Sequence, residues 1–372
     1  MESRNFYDNF FYDWWKNLDK VIFFLFISLI VLGIFFSLVS TSLIASSKLG
    51  TNNYYFFIRH LIYIFLGLTL IIFFSIIPES DIYKIGVIIF FIFFISLLLV
   101  PILGIEIKGS KRWLDIPIIP RFQPIEFLKP FLIIFLSMVI GSRFTSNDYL
   151  KFFLSTLIVL PILFFLVLQP DIGQTLLISC VWLCLIFVSG INLYLFNFLI
   201  LASISLLGYL VIYLPKFSYI KLRIAAFFDV KSSGNYQSEK ATDAIVDGGF
   251  FGKGIGEGTL NTRVPEAHTD YVISVIAEEF GILIILFILF IFLLLIFKVF
   301  KKIPTEKNNI NKLVLIGSIL LIIFQVLIHI GVNIRFLPTT GMTLPFLSYG
   351  GSSILSSSIL AGLILNFTKR KI

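Results

Sequence analysis

Read from its first residue, the chain alternates long apolar runs with short polar breaks. The runs fall at about 21–43, 57–77, 85–104, 125–141, 152–168, 172–189, 193–214, 271–297, 313–334 and 344–367. Most are near the ~20 residues that carry a helix across ~30 Å of hydrocarbon. The pattern predicts an all-α, polytopic membrane protein of about ten transmembrane helices. The fourth run is short, which suits a half-inserted helix or a span completed by its neighbours. No fixed-period repeat and no long soluble segment interrupts the series. Residues 1–372 therefore read as one integral-membrane unit, with a tail over 1–20 and a large loop over 215–270. The first run is too long for the apolar core of a cleavable signal, so it is expected to remain as a helix. Phe10, Phe11, Tyr12, Trp14 and Trp15, just before it, read as an interfacial aromatic belt.

Composition sharpens this picture. Of 372 residues, 58% are hydrophobic and 13% charged, and the mean hydropathy is +1.01. A soluble domain carries about 25% charged residues, so a water-soluble enzyme, a secreted disulfide scaffold and a disordered chain are all excluded. The net charge of +8 points to lipid headgroups and phosphate-bearing lipids, with no nucleic acid implied. The two cysteines, Cys180 and Cys184, lie on one helix face within an apolar run and read as small packing residues. An even span count puts both ends on one side. With both ends inside, the basic residues number about 14 inside and about 15 outside, which decides nothing by the positive-inside rule. Leaving out 105–124 and 215–270 gives about 14 against 3, which favours cytoplasmic ends. That omission is justified only if those two segments spend their charge on something else.

Three polar segments and one short connection are candidates for that purpose. In 105–124, Lys108, Lys111 and Arg112 form a basic cluster suited to clamping a diphosphate. Just beyond it, Glu126 and Lys129 are three apart and can pair on one helix face. In 215–270, the stretch Asp247-Gly-Gly-Phe-Phe-Gly-Lys-Gly-Ile-Gly-Glu-Gly258 lacks the spacing of a dinucleotide or Walker loop. It reads as backbone that turns tightly or approaches something closely, or as a plain flexible loop. The same segment ends at Val264-Pro-Glu-Ala-His-Thr-Asp270, where Pro265 can open a helix and Asp270 meets the start of the eighth run. Asp270 is either a helix-terminus residue or a carboxylate at the lipid boundary, poised for general-base work. His268 offers the same choice, and as a lone histidine it favours structure. Glu278 and Glu279 would lie deeper in the eighth span, where they must pair or face a cavity. Between the ninth and tenth runs, Gln325, His329 and Asn333 form a polar stripe of the kind that bonds neighbouring helices. After it, Pro338 and Pro345 bound a rigid loop. Between the fifth and sixth runs, Asp171 follows Pro170 and either caps a helix or faces the same polar space.

These motifs are specific enough together to carry a resemblance. Lys108-Gly-Ser-Lys-Arg-Trp113, Gln123-Pro-Ile-Glu-Phe127, Gln169-Pro-Asp-Ile-Gly-Gln174, Pro265-Glu-Ala-His-Thr-Asp270 and Leu344-Pro-Phe-Leu-Ser-Tyr-Gly-Gly-Ser-Ser353 occur in this order. The chain resembles the SEDS proteins (shape, elongation, division and sporulation), the family of FtsW and RodA, over essentially its whole length. Pro265–Asp270 and Gly341-Met-Thr-Leu-Pro345 make it more similar to the division branch, FtsW. It departs from that branch at Thr340, where FtsW usually has Lys, and at Ile125, where the usual residue is Ser.

The resemblance implies a ten-span bundle with both ends cytoplasmic. It implies a peptidoglycan glycosyltransferase that polymerises lipid II on the outer face of the bacterial inner membrane. The partners it implies are lipid II, the growing undecaprenyl-linked glycan, a class B penicillin-binding protein and the divisome proteins at the septum. The family's essential acidic residue falls on Asp270, the expected catalytic residue. The expected substrate-binding set is Lys108, Lys111, Arg112, Gln123, Glu126, Lys129, Asp171, His268, Ser348, Gly350 and Gly351. A divalent cation, Mg or Mn, is a further candidate for the diphosphate, and no other cofactor is called for. The rival readings are a RodA-type elongation polymerase, a lipid II flippase and a non-catalytic scaffold.

Overall fold

The computed structural model describes residues 11–41, 54–107, 109–117, 119–142, 147–213, 217–228, 236–258 and 268–369. The expectations for Phe10, Lys108 and Pro265 fall outside them. The apolar runs become helices because a segment in hydrocarbon must satisfy its own backbone N–H and C=O groups. In chain order the helices begin with α1 (Lys20–Phe36), α2 (Tyr55–Ile76) and α3 (Glu79–Leu103). A small sheet of β1 (Ile105–Ile107), β2 (Ser110–Ile116) and β3 (Ile119–Phe122) follows. Then come α4 (Pro124–Gly141), α5 (Asp148–Leu168), α6 (Ile172–Val188), α7 (Leu193–Tyr213), α8 (Ser218–Phe228) and α9 (Tyr236–Gly248). The chain closes with α10 (Val272–Phe280), α11 (Ile282–Lys302), α12 (Asn309–Asn333) and α13 (Gly351–Phe367). Seven of these (α1 to α5, α11 and α12) are long and apolar enough to cross a membrane. Shorter apolar helices at α6, α13 and the first part of α7 complete the ten predicted runs.

Two helices form the centre. In both α4 and α12, 72% of the most apolar window is buried, against 22% in α2 and α3. The short fourth run is thus an 18-residue helix held deep in the bundle. It carries the ion pair Glu126–Lys129 at 2.9 Å. Around this centre, α3 packs along α4, α12 packs on α4, α6 and α13, and α2 runs beside α13.

Three features differ from the pattern-based expectation. The basic segment after α3 is not a bare loop: β1-β2-β3 form an antiparallel meander, with Glu106 opposite Lys111 and Leu114 opposite Phe122. Within the large loop, the described residues form helices α8 and α9. The eighth run is not one helix. It breaks at Gly281, whose φ of +81° is open to glycine and strained for other residues. Glu278 and Glu279 therefore belong to short α10, ahead of the long span, and are buried there at 0% and 2% exposure.

The glycine-rich stretch explains that break. Ile282 N–H donates to Gly249 O at 2.9 Å, and Lys253 N–H donates to Glu278 O at 2.9 Å. A Cβ on Gly281 would stand 2.2 Å from Phe250 O, and one on Gly252 would stand 2.2 Å from Glu279 O. Two backbones meet with no room for a side chain between them. The stretch is a clasp that holds the α10–α11 corner.

Both termini of the bundle lie at the end away from the sheet and from α8–α9. Lys302 pairs with Asp19 at 2.9 Å there, and Asn311 donates to Glu79 Oε2 at 2.7 Å. Asn366 donates to the carbonyls of Phe74 and Ile77 at 2.8 and 2.7 Å. Cys180 and Cys184 are free and half-buried.

Candidate functional site

The opposite end gathers most of the polar residues singled out from the sequence. Asp171 is its hub. As the N-cap of α6, it accepts the Gln174 N–H on Oδ1 at 3.2 Å. Its other oxygen accepts from Gln123 Nε2 at 2.9 Å and lies 3.9 Å from Arg112 Nη1. Arg112 is further fixed by donating Nε–H to Gln169 O at 3.0 Å and an Nη–H to Pro170 O. The capping reading of Asp171 holds, and its side chain is buried among these partners at 3% exposure. One turn along α6, Gln174 Nε2 donates to Glu126 Oε1 at 2.5 Å, which joins the buried Glu126–Lys129 pair to the same network.

Lys111 and Arg112 do not share one surface. Successive side chains on a strand point to opposite faces. On β2, Lys111 is accordingly exposed while Arg112 is half-buried and turned to Asp171.

Asp270 is placed by the polar stripe of α12. Asn333 Nδ2 donates to Asp270 O at 3.1 Å and to His329 O at 2.8 Å. His329 Nδ1 lies 2.7 Å from Met342 O, and Gln325 Nε2 donates to Thr343 O at 3.0 Å and to Ser353 Oγ at 3.3 Å. The stripe bonds the 339–343 loop and one strategic backbone carbonyl, not only a neighbouring helix. Gly341, at φ +73°, brings that loop to the carboxylate: a Cβ there would lie 3.5 Å from Asp270 Oδ2. The other side of the loop rests on α6, where a Cβ on Gly173 would meet Thr340 Cβ at 2.9 Å and Met342 Cγ at 2.8 Å. One loop therefore touches both Asp270 and the first turn of the helix that Asp171 caps.

The remaining expected residues hold this loop and the turn after it. Ser348 Oγ accepts the Leu344 N–H at 2.9 Å, and Ser348 is itself 1% exposed. Gly350 is the N-cap of α13, and Gly351 lets α13 approach α2, since a Cβ would sit 2.5 Å from Tyr63 Cζ. His268 accepts the Tyr349 N–H on its carbonyl at 3.0 Å, and its ring packs against Phe56 at 5.4 Å. Phe346 adopts φ +66°, costly for a bulky residue. It is held by the ring of Phe26 at 5.7 Å, and a Cβ on Gly33 would stand 2.1 Å from Phe346 O.

Two residues that the sequence reading passed over also reach the site. Arg223 on α8 donates Nη1–H to Thr339 O at 3.4 Å. Tyr219, one turn earlier, donates its hydroxyl to Val167 O at 2.7 Å, and burial pushes its pKa up to about 12. Nothing in the loop's sequence marked them, because a lone Arg in a polar segment is ordinarily a solvated one. The described residues include no group of three or more His, Cys, Asp or Glu side chains placed to hold a metal ion.

Comparisons with known proteins converge on one family. The family model described as "Cell cycle protein", of FtsW, RodA and SpoVE, matches residues 19–371. The chain is 34% identical to the probable peptidoglycan glycosyltransferase FtsW of Coxiella burnetii, across 91% of this chain and 93% of that protein. It is 28% identical to the protein of the same description from Caulobacter vibrioides, across 96% and 91%. Among solved structures it is similar to a chain of a peptidoglycan synthase complex that coordinates polymerization and crosslinking. That match has a TM-score of 0.76 and 25% identity, and covers 94% of this chain and 97% of that one. The rod shape determining protein RodA of Thermus thermophilus matches in fold, at TM-score 0.67 and 24% identity, over 95% and 97%.

Proposed function

Because the chain belongs to the FtsW, RodA and SpoVE family of cell cycle proteins, we propose that it is a multi-pass inner-membrane peptidoglycan glycosyltransferase that polymerises lipid II for septal synthesis. In this reading both termini are cytoplasmic. The sheet, α8, α9 and Asp270 face outward, and a class B penicillin-binding protein crosslinks the strands.

The observation that supports the reading is that one braced loop meets both Asp270 and the first turn of α6, whose cap Asp171 pairs with Arg112. The 4-hydroxyl of an acceptor sugar attacks the anomeric carbon of the donor. Asp270 accepts the hydroxyl proton as the new C–O bond forms. The bond from the anomeric carbon to the diphosphate oxygen breaks, and undecaprenyl diphosphate leaves with the bonding electrons. General-base help of this kind is worth about 10²–10⁴ in rate. Arg112 offsets the charge gathering on the leaving group. Its planar fork and its anchoring carbonyls preorganise it for that. The diphosphate bond already activates the donor, so no nucleotide is needed, in keeping with a glycine-rich stretch that clasps backbone instead of phosphate.

The test is reconstitution of the full chain with its transpeptidase partner and lipid II in vesicles, with glycan length and lipid movement read separately. The reading expects glycan chains. Lipid II crossing the bilayer with no polymer would replace it with transport.

A further inference from the structure

The large loop delivers a second guanidinium to the site. Arg223 is half-buried between α8 and the 339–343 loop, and its hydrogen bond among the described residues is the 3.4 Å contact to Thr339 O. No carboxylate of the described residues lies within ion-pair distance of it. It does feel Arg112 and Asp171 electrostatically, and burial together with Arg112 holds its pKa below the usual arginine value. Asp171 is already committed to the Gln174 N–H, the Gln123 amide and Arg112. Partial burial of a cation beside another cation is unfavourable unless an anion joins them. Arg223 has five N–H donors and spends one. Arg112, on β2, already spends two of its donors on Gln169 O and Pro170 O, so Arg223, on α8, brings the larger free set of donors for a ligand with several phosphate oxygens.

We propose that Arg223 and Arg112 together form the diphosphate-binding subsite, with Arg223 binding the leaving group of the donor lipid directly. This rests on the polymerase reading for the identity of the ligand. It also gives the large loop a specific role. Helix α8 carries a charge to the reacting bond, and Tyr219 fixes that helix to the end of α5 through Val167 O. Thr339 O aims the guanidinium and ties it to the loop that faces Asp270.

The test uses the full chain in nanodiscs, as wild type, Arg223→Gln and Arg223→Lys. Binding of undecaprenyl diphosphate and of undecaprenyl monophosphate is measured without turnover, and lipid II KM and kcat are measured with the partner present. Arg223→Gln is expected to weaken diphosphate binding about tenfold or more, to weaken the monophosphate less, and to raise KM. Arg223→Lys, which keeps the charge and loses the fork, is expected to fall between. Unchanged diphosphate affinity in Arg223→Gln, or an equal loss for both lipids, would overturn the proposal and leave Arg223 as a brace for α8. Should the Gln variant not fold, the Lys variant decides, and wild-type diphosphate affinity there overturns it. If the wild type binds diphosphate through Arg223 yet makes no glycan, the subsite stands and the polymerase reading fails. If the wild type makes glycan and Arg223→Gln binds diphosphate normally, only the subsite fails.

Discussion

Asp171 and Asp270 sit at the same end of the bundle but answer to different partners. Asp171 has both oxygens engaged: it accepts from the Gln123 amide before α4 and from the Gln174 N–H of α6, and it pairs with Arg112 on β2 at 3.9 Å. Asp270 is held from behind, by the Asn333 amide on its carbonyl. The pair Glu126–Lys129 shows how much the fold commits to polar order: the two side chains are 6% and 1% exposed and 2.9 Å apart. Removing one partner strands the other charge, which costs about 3–5 kcal/mol. Glu126→Gln or Lys129→Met alone should therefore lower the melting temperature in detergent sharply, and the double variant should recover much of the loss. Additive losses would show that the two do not act as a pair. At the far end, Asp19 caps α1 through Val21 and Ile22 N–H and pairs with Lys302. Burial pushes its carboxyl up, but Lys302 and the backbone donors outweigh this and hold the pKa below 3.8. A depressed carboxylate stabilises the fold above its unfolded pKa and loses that contribution as pH falls through the folded value. Asp19→Ala should cost about 1 kcal/mol near neutral pH, and the difference from wild type should shrink below about pH 4. A difference that persists undiminished into acid would contradict this account.

At the scale of elements, the α12 stripe links packing to chemistry. Gln325, His329 and Asn333 spend their side chains on the 339–343 loop and on Asp270 O. Asn333→Ala should lower kcat with little change in KM, because it loosens the carboxylate without touching the diphosphate side. Polymerisation rates across lipid II concentrations read that split, and a rise in KM alone would assign Asn333 to binding. The stripe was legible in the sequence, but its partner was not, since a spacing of four names a helix face and not what the face meets. The same limit hid the Gly281 break, because the apolar run continues through it, and neither its φ of +81° nor the approach of Phe250 O is written in the local pattern. The sheet escaped notice because strands of three to seven residues leave too short an alternation to stand out. Asp270, Arg112 and the Glu126–Lys129 pair were legible because their residue types are expensive beside a membrane and so require a reason. Arg223 was not, because its meaning comes wholly from where α8 folds back.

Across the whole molecule, ten apolar runs became a bundle whose two ends do different work. One end is sewn shut by Asp19–Lys302, Asn311–Glu79 and Asn366 on the α2 terminus. The other carries the sheet, α8, the clasp and the braced loop, and it holds the charge that the raw positive-inside tally could not place. Arg112, Arg223, Asp171 and Asp270 are all gathered at that second end. Asp270 carries the central claim, because its carboxylate meets the braced loop at Gly341. The most direct measurement is glycan chain formation by Asp270→Asn, folded and in complex with the partner, from radiolabelled lipid II. The expected result is a rate at least about 10²-fold below wild type with lipid II binding retained, and full-length glycan at the wild-type rate would contradict it.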